Sequence, residues 1–345
     1  MKNITKLLGL LLLFSAFAMT VSAPVQAKKD FTVSTSSKPY KNKYVKNPVY
    51  NKYTKHYLTL RSYLDEMSKK GGGTLTIKKG TYNISNALLV PSNVKIVLQD
   101  GVVMNKIGNS HTKKLKAGHV MFECVRSSRI NKKGVVGKYN GEKNIQIIGE
   151  GTVIMNLSGC NKSEAIRVPH CKNVLIDNIT FTNLRDGHFI EVTASKDVTV
   201  QNCTFKNNLS GERCAINLDT PDKVTNGFNG KYSKFDKTPV LNVTIQNCGF
   251  YNLHRGIDTH RFSPNKYHTN VQILGCTFKD SVQSPIMMLN WKNAVIKGNT
   301  IDTVKGWSTN NIQKEKFAIY MRGGVIDPII SENRMNGVYM PFYAK

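Results

Sequence analysis

Along most of this chain, apolar residues alternate with polar ones in short bursts, and the bursts recur. Four copies read Asn173-Val-Leu-Ile-Asp-Asn-Ile-Thr-Phe181, Asp197-Val-Thr-Val-Gln-Asn-Cys-Thr-Phe205, Asn242-Val-Thr-Ile-Gln-Asn-Cys-Gly-Phe250 and Asn270-Val-Gln-Ile-Leu-Gly-Cys-Thr-Phe278. A weaker copy runs from Asn293 to Ile301, and earlier relatives begin near Asn93 and Asn144. Successive starts lie 24, 45, 28 and 23 residues apart, so a coil of 23 to 28 residues recurs with one long insertion. Within a copy, Val198 and Val200 alternate with polar residues, and Cys203 and Phe205 do the same after a break. That pattern marks two strands, each with one buried face, joined by a bend. A single copy cannot bury its apolar face, whereas stacked copies bury a continuous core, which predicts a solenoid.

Superposition of the copies places Ile179, Cys203, Cys248, Cys276 and Asn299 in one inward column. The seven cysteines are odd in number and lack CxxC spacing, so the three in this column are read as small core residues rather than as disulfide or metal partners. Ahead of the repeats, Leu60, Tyr63, Leu64 and Met67 have helical spacing, and Gly71-Gly72-Gly73 ends the helix before a strand from Thr74 to Ile77.

Residues 28–57 are rich in Lys and Tyr and show no apolar period, which predicts a basic linker or arm. Residues 1–27 read as a secretory signal peptide: Lys2 and Lys6 precede an apolar run from Leu7 to Val21, and Val25-Gln26-Ala27 offers a cleavage site. No later segment approaches the roughly 20 apolar residues of a membrane span. The expected organisation is therefore a signal peptide (1–27), an arm (28–57) and one repeat domain (58–345), secreted, extracellular or associated with the cell wall.

Forty-nine Lys and Arg against twenty-two Asp and Glu give a net charge of +27. Such an excess favours acidic partners, and the secretory route turns the expectation from nucleic acid to an anionic polysaccharide or cell-wall polymer.

Residues 58 to about 335 resemble the right-handed parallel β-helices of pectate lyases, polygalacturonases and their relatives. The opening run carries the likeness: a helix, Gly71-Gly72-Gly73-Thr74-Leu-Thr-Ile77, Lys79-Gly80-Thr81-Tyr82 and Pro91-Ser92-Asn93-Val94. The resemblance implies an all-β fold, a single-stranded right-handed parallel β-helix (pectin lyase-like solenoid) with an N-terminal capping helix. It does not fix an activity, because the superfamily holds lyases, hydrolases, epimerases and adhesin spikes. The polygalacturonase motifs are not reproduced in order, and the pectate-lyase motifs are not matched residue by residue.

Candidate chemistry comes from column geometry. A further strand precedes each copy, beginning at Ala165, Phe189, Ala215, Gly256, Pro285 and Ala318. With its Ile inward, alternate residues face out. One outward column then holds Arg167, Glu191, Asn217, Asp258, Met287 and Tyr320, and its neighbour Pro169, Thr193, Asp219, His260, Leu289 and Arg322.

Glu191, Asp219, Asp258 and His260, with His188 and His254 on the entering loops, are the expected catalytic set. Arg167, Asn217, Arg255, Arg261, Tyr320 and Arg322 are the expected substrate-binding set. Insertions 220–240 and 261–269, which carry lysines and His268, wall a basic cleft. β-Elimination from a uronate polymer requires a base and a cation, and calcium on Glu191, Asp219 and Asp258 is one source of the positive charge. Hydrolysis requires a carboxyl pair, which the same residues supply. The leading expectation is a polysaccharide lyase, with a glycoside hydrolase and a non-catalytic wall-binding protein or adhesin as alternatives.

Overall fold

The computed structural model describes residues 28–344 except 47, 212, 307–316 and 339. The expected signal peptide lies outside the described residues. From Gly73 onward the chain visits three parallel sheets in turn, and each strand pairs with its counterpart one coil away. Sheet 1 begins its circuit with Gly73–Ile77, sheet 2 with Gly80–Ile84 and sheet 3 with Leu88–Leu89; the sheets contain 11, 9 and 9 strands among the described residues.

The recurring sequence pattern becomes vertical ladders inside this solenoid. Val174, Val198, Val243 and Val271 are in register in sheet 1, as are Ile176, Val200, Ile245 and Ile273. Phe181, Phe205, Phe250 and Phe278 are in register in sheet 2. Their rings stack with centroids 4.9, 4.9 and 4.5 Å apart and planes within 14°. Cys203, Cys248 and Cys276 are buried free thiols, as are the other four cysteines, so the column reading holds. Asn299 completes it: its Oδ1 accepts the Cys276 N–H (2.8 Å), and its Nδ2 donates to the Ile273 carbonyl (3.0 Å).

The polar residue opening each copy has a backbone role. Asn93, Asn144, Asn173, Asp197, Asn242, Asn270 and Asn293 all take φ between 53° and 61°. Asn and Asp tolerate this left-handed conformation because their short polar side chains bond locally. Here they bond between coils: Asn144 Nδ2 donates to Asn93 Oδ1 (2.8 Å), Asn173 to Asn144 (2.9 Å), Asn242 to Asp197 (2.9 Å) and Asn270 to Asn242 (2.9 Å).

Helix α1 (Lys55–Lys69) packs on the first strands of all three sheets, with Leu60, Leu64 and Met67 fully buried. Part of the segment expected to be a basic linker or arm packs on the first coil. Phe31–Val33 adds a strand to sheet 1 beside Leu75–Ile77, Val33 joins the core, and Phe31, Tyr40 and Tyr63 meet edge to face. Aromatic residues and one valine do here what a periodic pattern does elsewhere, which is why periodicity passed over the segment.

A second small core of Leu89, Val125, Val136, Phe228 and Tyr232 lies under two long excursions, 125–141 and 220–239. The excursions are tied together by a Val136–Ser233 bridge and by His170. The His170 Nδ1–H donates to the Lys138 carbonyl (2.7 Å), leaving Nε2 to accept the Ser233 hydroxyl (2.8 Å). No helix among the described residues is long and apolar enough to cross a membrane.

Candidate functional site

Sheet 3 presents the expected outward column: Glu123, Arg167, Glu191, Asn217, Asp258, Met287 and Tyr320 are in register on successive strands. Thr193 and Asp219 pair in the next column. His260 does not follow them. The strand ends at Asp258, and the His260 N–H donates to Asn217 Oδ1 (3.0 Å). Its ring centroid lies 6.2 Å from that of His188, two coils away.

The centre of the cluster is Glu191, 5 % exposed. Thr193 Oγ1 donates to its Oε1 (2.9 Å), and Asn217 Nδ2 donates to its Oε2 (2.8 Å). His188 Nδ1 faces the Cys214 carbonyl (3.1 Å) and so carries the ring proton, which directs the Nε2 lone pair toward Glu191 Oε2 at 3.8 Å. Burial, and then the negative charge of Glu164, push the Glu191 carboxyl from an ordinary 4.5 up to about 7. Burial and the Glu191 charge also hold Asp219 well above the usual carboxylate range, although its Oδ1 accepts the Thr220 N–H (2.7 Å). Asp258 is raised by burial, against the pull of Arg255, whose Nε lies 3.3 Å from Oδ2, and of Arg322. The imidazoles move the other way: burial, followed by neighbouring positive groups, lowers His260 to about 4, and burial lowers His188.

The structure thus gathers Glu191, Asn217, Asp219, His188 and His260, with Asp258 and Arg255 beside them and the charges of Arg261 and Arg322 acting on Asp219 and Asp258. Three expected residues stand apart. The Arg167 guanidinium donates twice to Glu164 (both 2.7 Å) and once to Glu123 (3.3 Å), under the Phe228 ring at 5.5 Å, so protein groups already occupy it. His254 sits at the sheet edge, lowered to about 4 by burial and then by Arg255, with Gln283 as its side-chain partner. Tyr320 is separated from Asp258 by the Met287 row and packs near Phe317.

Two further expectations need correction. The cleft residue His268 is fully buried and accepts the Val240 N–H (3.1 Å), making it a structural link. The calcium set does not form: among the described residues no three His, Cys, Asp or Glu side chains converge as metal ligands. Glu191 accepts hydrogen bonds from Thr193 and Asn217, Asp219 accepts one from the Thr220 N–H, and Asp258 lies beside Arg255.

Sequence reasoning missed Glu164, Glu123 and Tyr232. Glu164 is in register with His188 and helps raise Glu191, and the Tyr232 hydroxyl donates to Glu123 Oε1 (2.7 Å). Their signal was faint, because Glu123 precedes the clear repeats and Tyr232 belongs to an insertion.

The model of the family described as "Right handed beta helix region" matches residues 122–301. The chain is 26% identical over 267 residues to Plasmin and fibronectin-binding protein A of Streptococcus pneumoniae (strain ATCC BAA-255 / R6). That match covers 70% of this chain and 36% of the relative, so the chain spans about a third of the relative's length. Among solved structures, PfbA, a surface adhesin of Streptococcus pneumoniae, superposes with a TM-score of 0.65 at 19% identity, covering 84% of this chain and 70% of PfbA. ORF18 of Geobacillus virus E2 superposes with a TM-score of 0.50 at 14% identity, covering 83% and 55%. These two superpositions speak to the fold alone.

Proposed function

The chain belongs to the right-handed β-helix family, and from that premise we propose that it is an extracellular binding protein of the adhesin class that engages an acidic partner through sheet 3 and its flanking turns. The observation that carries this reading is the likeness to a plasmin and fibronectin-binding protein over 70% of the chain. The net charge of +27 supports an acidic partner. So does the construction of sheet 3, where Glu191, Asp219 and Asp258 are covered and held by neighbouring groups rather than lining an open trough. In the same reading the leader 1–27 directs export, and α1 closes the open end of the solenoid.

A second reading has its own support. Hydrolysis of a glycosidic bond requires one carboxyl that holds a proton and another that is ionised. Glu191 near 7 beside Asp219 is a pair that resists losing both protons at once. Elimination is less well supported, because the imidazoles offered as bases are held below their ordinary basicity.

One experiment separates these readings. The mature chain is applied to immobilised fibronectin, plasmin, polygalacturonate and cellulose, and the supernatants are assayed for new reducing ends and for absorbance near 235 nm. Capture without product supports the adhesin. New reducing ends that vanish in Glu191→Gln establish the hydrolase, unsaturated uronate establishes the lyase, and failure to bind any surface removes the binding reading.

A further inference from the structure

A recess of about 590 Å³ lies where three successive coils enter sheet 3, outside the Glu191 cluster. Asn161 and Lys162 line it from the first turn, Arg185 and Asp186 from the second, and Ser210, Gly211 and Arg213 from the third. Each turn runs directly into a strand of the site sheet: Ser163–Pro169, Gly187–Thr193 and Cys214–Asp219. Among the described residues, three cations and one carboxylate thus line it, in a volume suited to a small organic group rather than to a bare inorganic ion.

Both arginines are fixed from behind. Arg185 Nε donates to the Ser158 carbonyl (2.9 Å), and Arg213 Nε donates to Asp186 Oδ1 (2.9 Å). Among the described residues neither guanidinium makes a hydrogen bond through its two terminal nitrogens. A guanidinium anchored at Nε with its terminal N–H groups available is a prepared fork for a carboxylate or sulfate, since little side-chain entropy remains to be lost on binding. Asn161 and Ser210 add an amide and a hydroxyl of the kind that meet sugar hydroxyls.

We propose that this recess is a binding subsite for one acidic sugar residue, a hexuronate or a sulfated hexose, of a polysaccharide lying along sheet 3. The inference rests on the binding reading above and adds to it the class of ligand and the place of contact. Arg185 and Arg213 grip the anionic group from two adjacent coils. Lys162, on the coil before them, adds charge without a fixed fork.

The test is isothermal titration of the full mature chain with a galacturonate trisaccharide, a galactose-sulfate oligosaccharide and cellotriose. Arg185→Gln and Arg213→Gln are compared with the double variant Lys172→Gln/Lys206→Gln, which alters exposed lysines on sheets 1 and 2. Thermal unfolding verifies each fold, and Arg185→Lys, which keeps the charge and loses the fork, replaces any arginine variant that fails to fold. The expected result is binding of at least one acidic oligosaccharide, weakened about ten-fold or more by each arginine variant and less than two-fold by the lysine pair, with no binding of cellotriose. Which acidic probe binds distinguishes carboxylate from sulfate. Equal losses in the arginine and lysine variants overturn the subsite in favour of diffuse charge, and cellotriose binding as tightly as the acidic sugars overturns it too. If wild type captures fibronectin or plasmin but no oligosaccharide, the subsite fails while the binding reading stands. If it captures none of them, both fail.

Discussion

Replacing Glu191 with Gln tests the electrostatics of the cluster directly. The folded protein holds this carboxyl proton up to about pH 7, against an ordinary 4.5. Below about pH 4 both folded and unfolded chains are protonated, and the group contributes nothing to the difference. Between 4.5 and 7 the unfolded chain ionises while the native chain does not, so stability falls as pH rises, and the loss is complete above 7. A displacement of that size corresponds to about 3 kcal/mol, part of it shared with Asp219 through their mutual charge. Gln copies the protonated acid: its oxygen accepts the Asn217 amide, and its NH2 donates to the Thr193 hydroxyl, the two groups that hold Glu191 now. Urea unfolding in steps from pH 4 to pH 8 should give equal stabilities near pH 4 and a variant more stable by about 2–3 kcal/mol at pH 8. A variant less stable than wild type at pH 8 would refute the argument, because it would mean that the native carboxylate is ionised and satisfied.

Three further outcomes follow from the packing. Phe205→Ala removes the ring stacked between Phe181 and Phe250, and denaturant unfolding should show a loss of about 3–5 kcal/mol; a loss below about 1 kcal/mol would mean that the ladder relaxes to fill the gap. Ser233→Ala leaves the buried His170 Nε2 without its donor, at a cost of about 1–3 kcal/mol to the docking of excursion 220–239. Trypsin should then cut at Lys231 or Lys234 about ten-fold faster, and unchanged cutting would show that the bond does not hold the excursion. Leu64→Asp places a carboxylate at a fully buried position of α1; exposure of the first coil should appear as concentration-dependent association by light scattering, whereas a soluble monomer would argue against a closing role for the helix.

The solenoid was legible because parallel stacking in register sets like residues above like. Once Asn173, Asp197, Asn242 and Asn270 are aligned, the valines, isoleucines, cysteines and phenylalanines behind them fall into columns, and each column is a ladder in the structure. The outward column of sheet 3 was legible for the same reason, since a period of two fixes the face once one inward Ile is known. That reasoning stops where a strand stops. His260 was assigned to a column by counting on from Asp258, but the backbone leaves the sheet there and bonds to Asn217.

Contacts between excursions leave no periodic trace at all. Tyr232 reaches Glu123 across 109 residues, and the Tyr139 hydroxyl reaches the Pro239 carbonyl across 100, through segments whose composition resembles ordinary polar loops. Yet these contacts decide the character of the site. By covering one end of sheet 3, they turn Arg167 from a binding group into part of a closed ion-pair network with Glu164 and Glu123. Glu164, held ionised by that arginine, in turn helps push Glu191 toward neutrality. A row of outward charges that would each be ordinary in water thus becomes a coupled chain, in which the roof fixes the charge of one acid and that acid helps set the proton on the next.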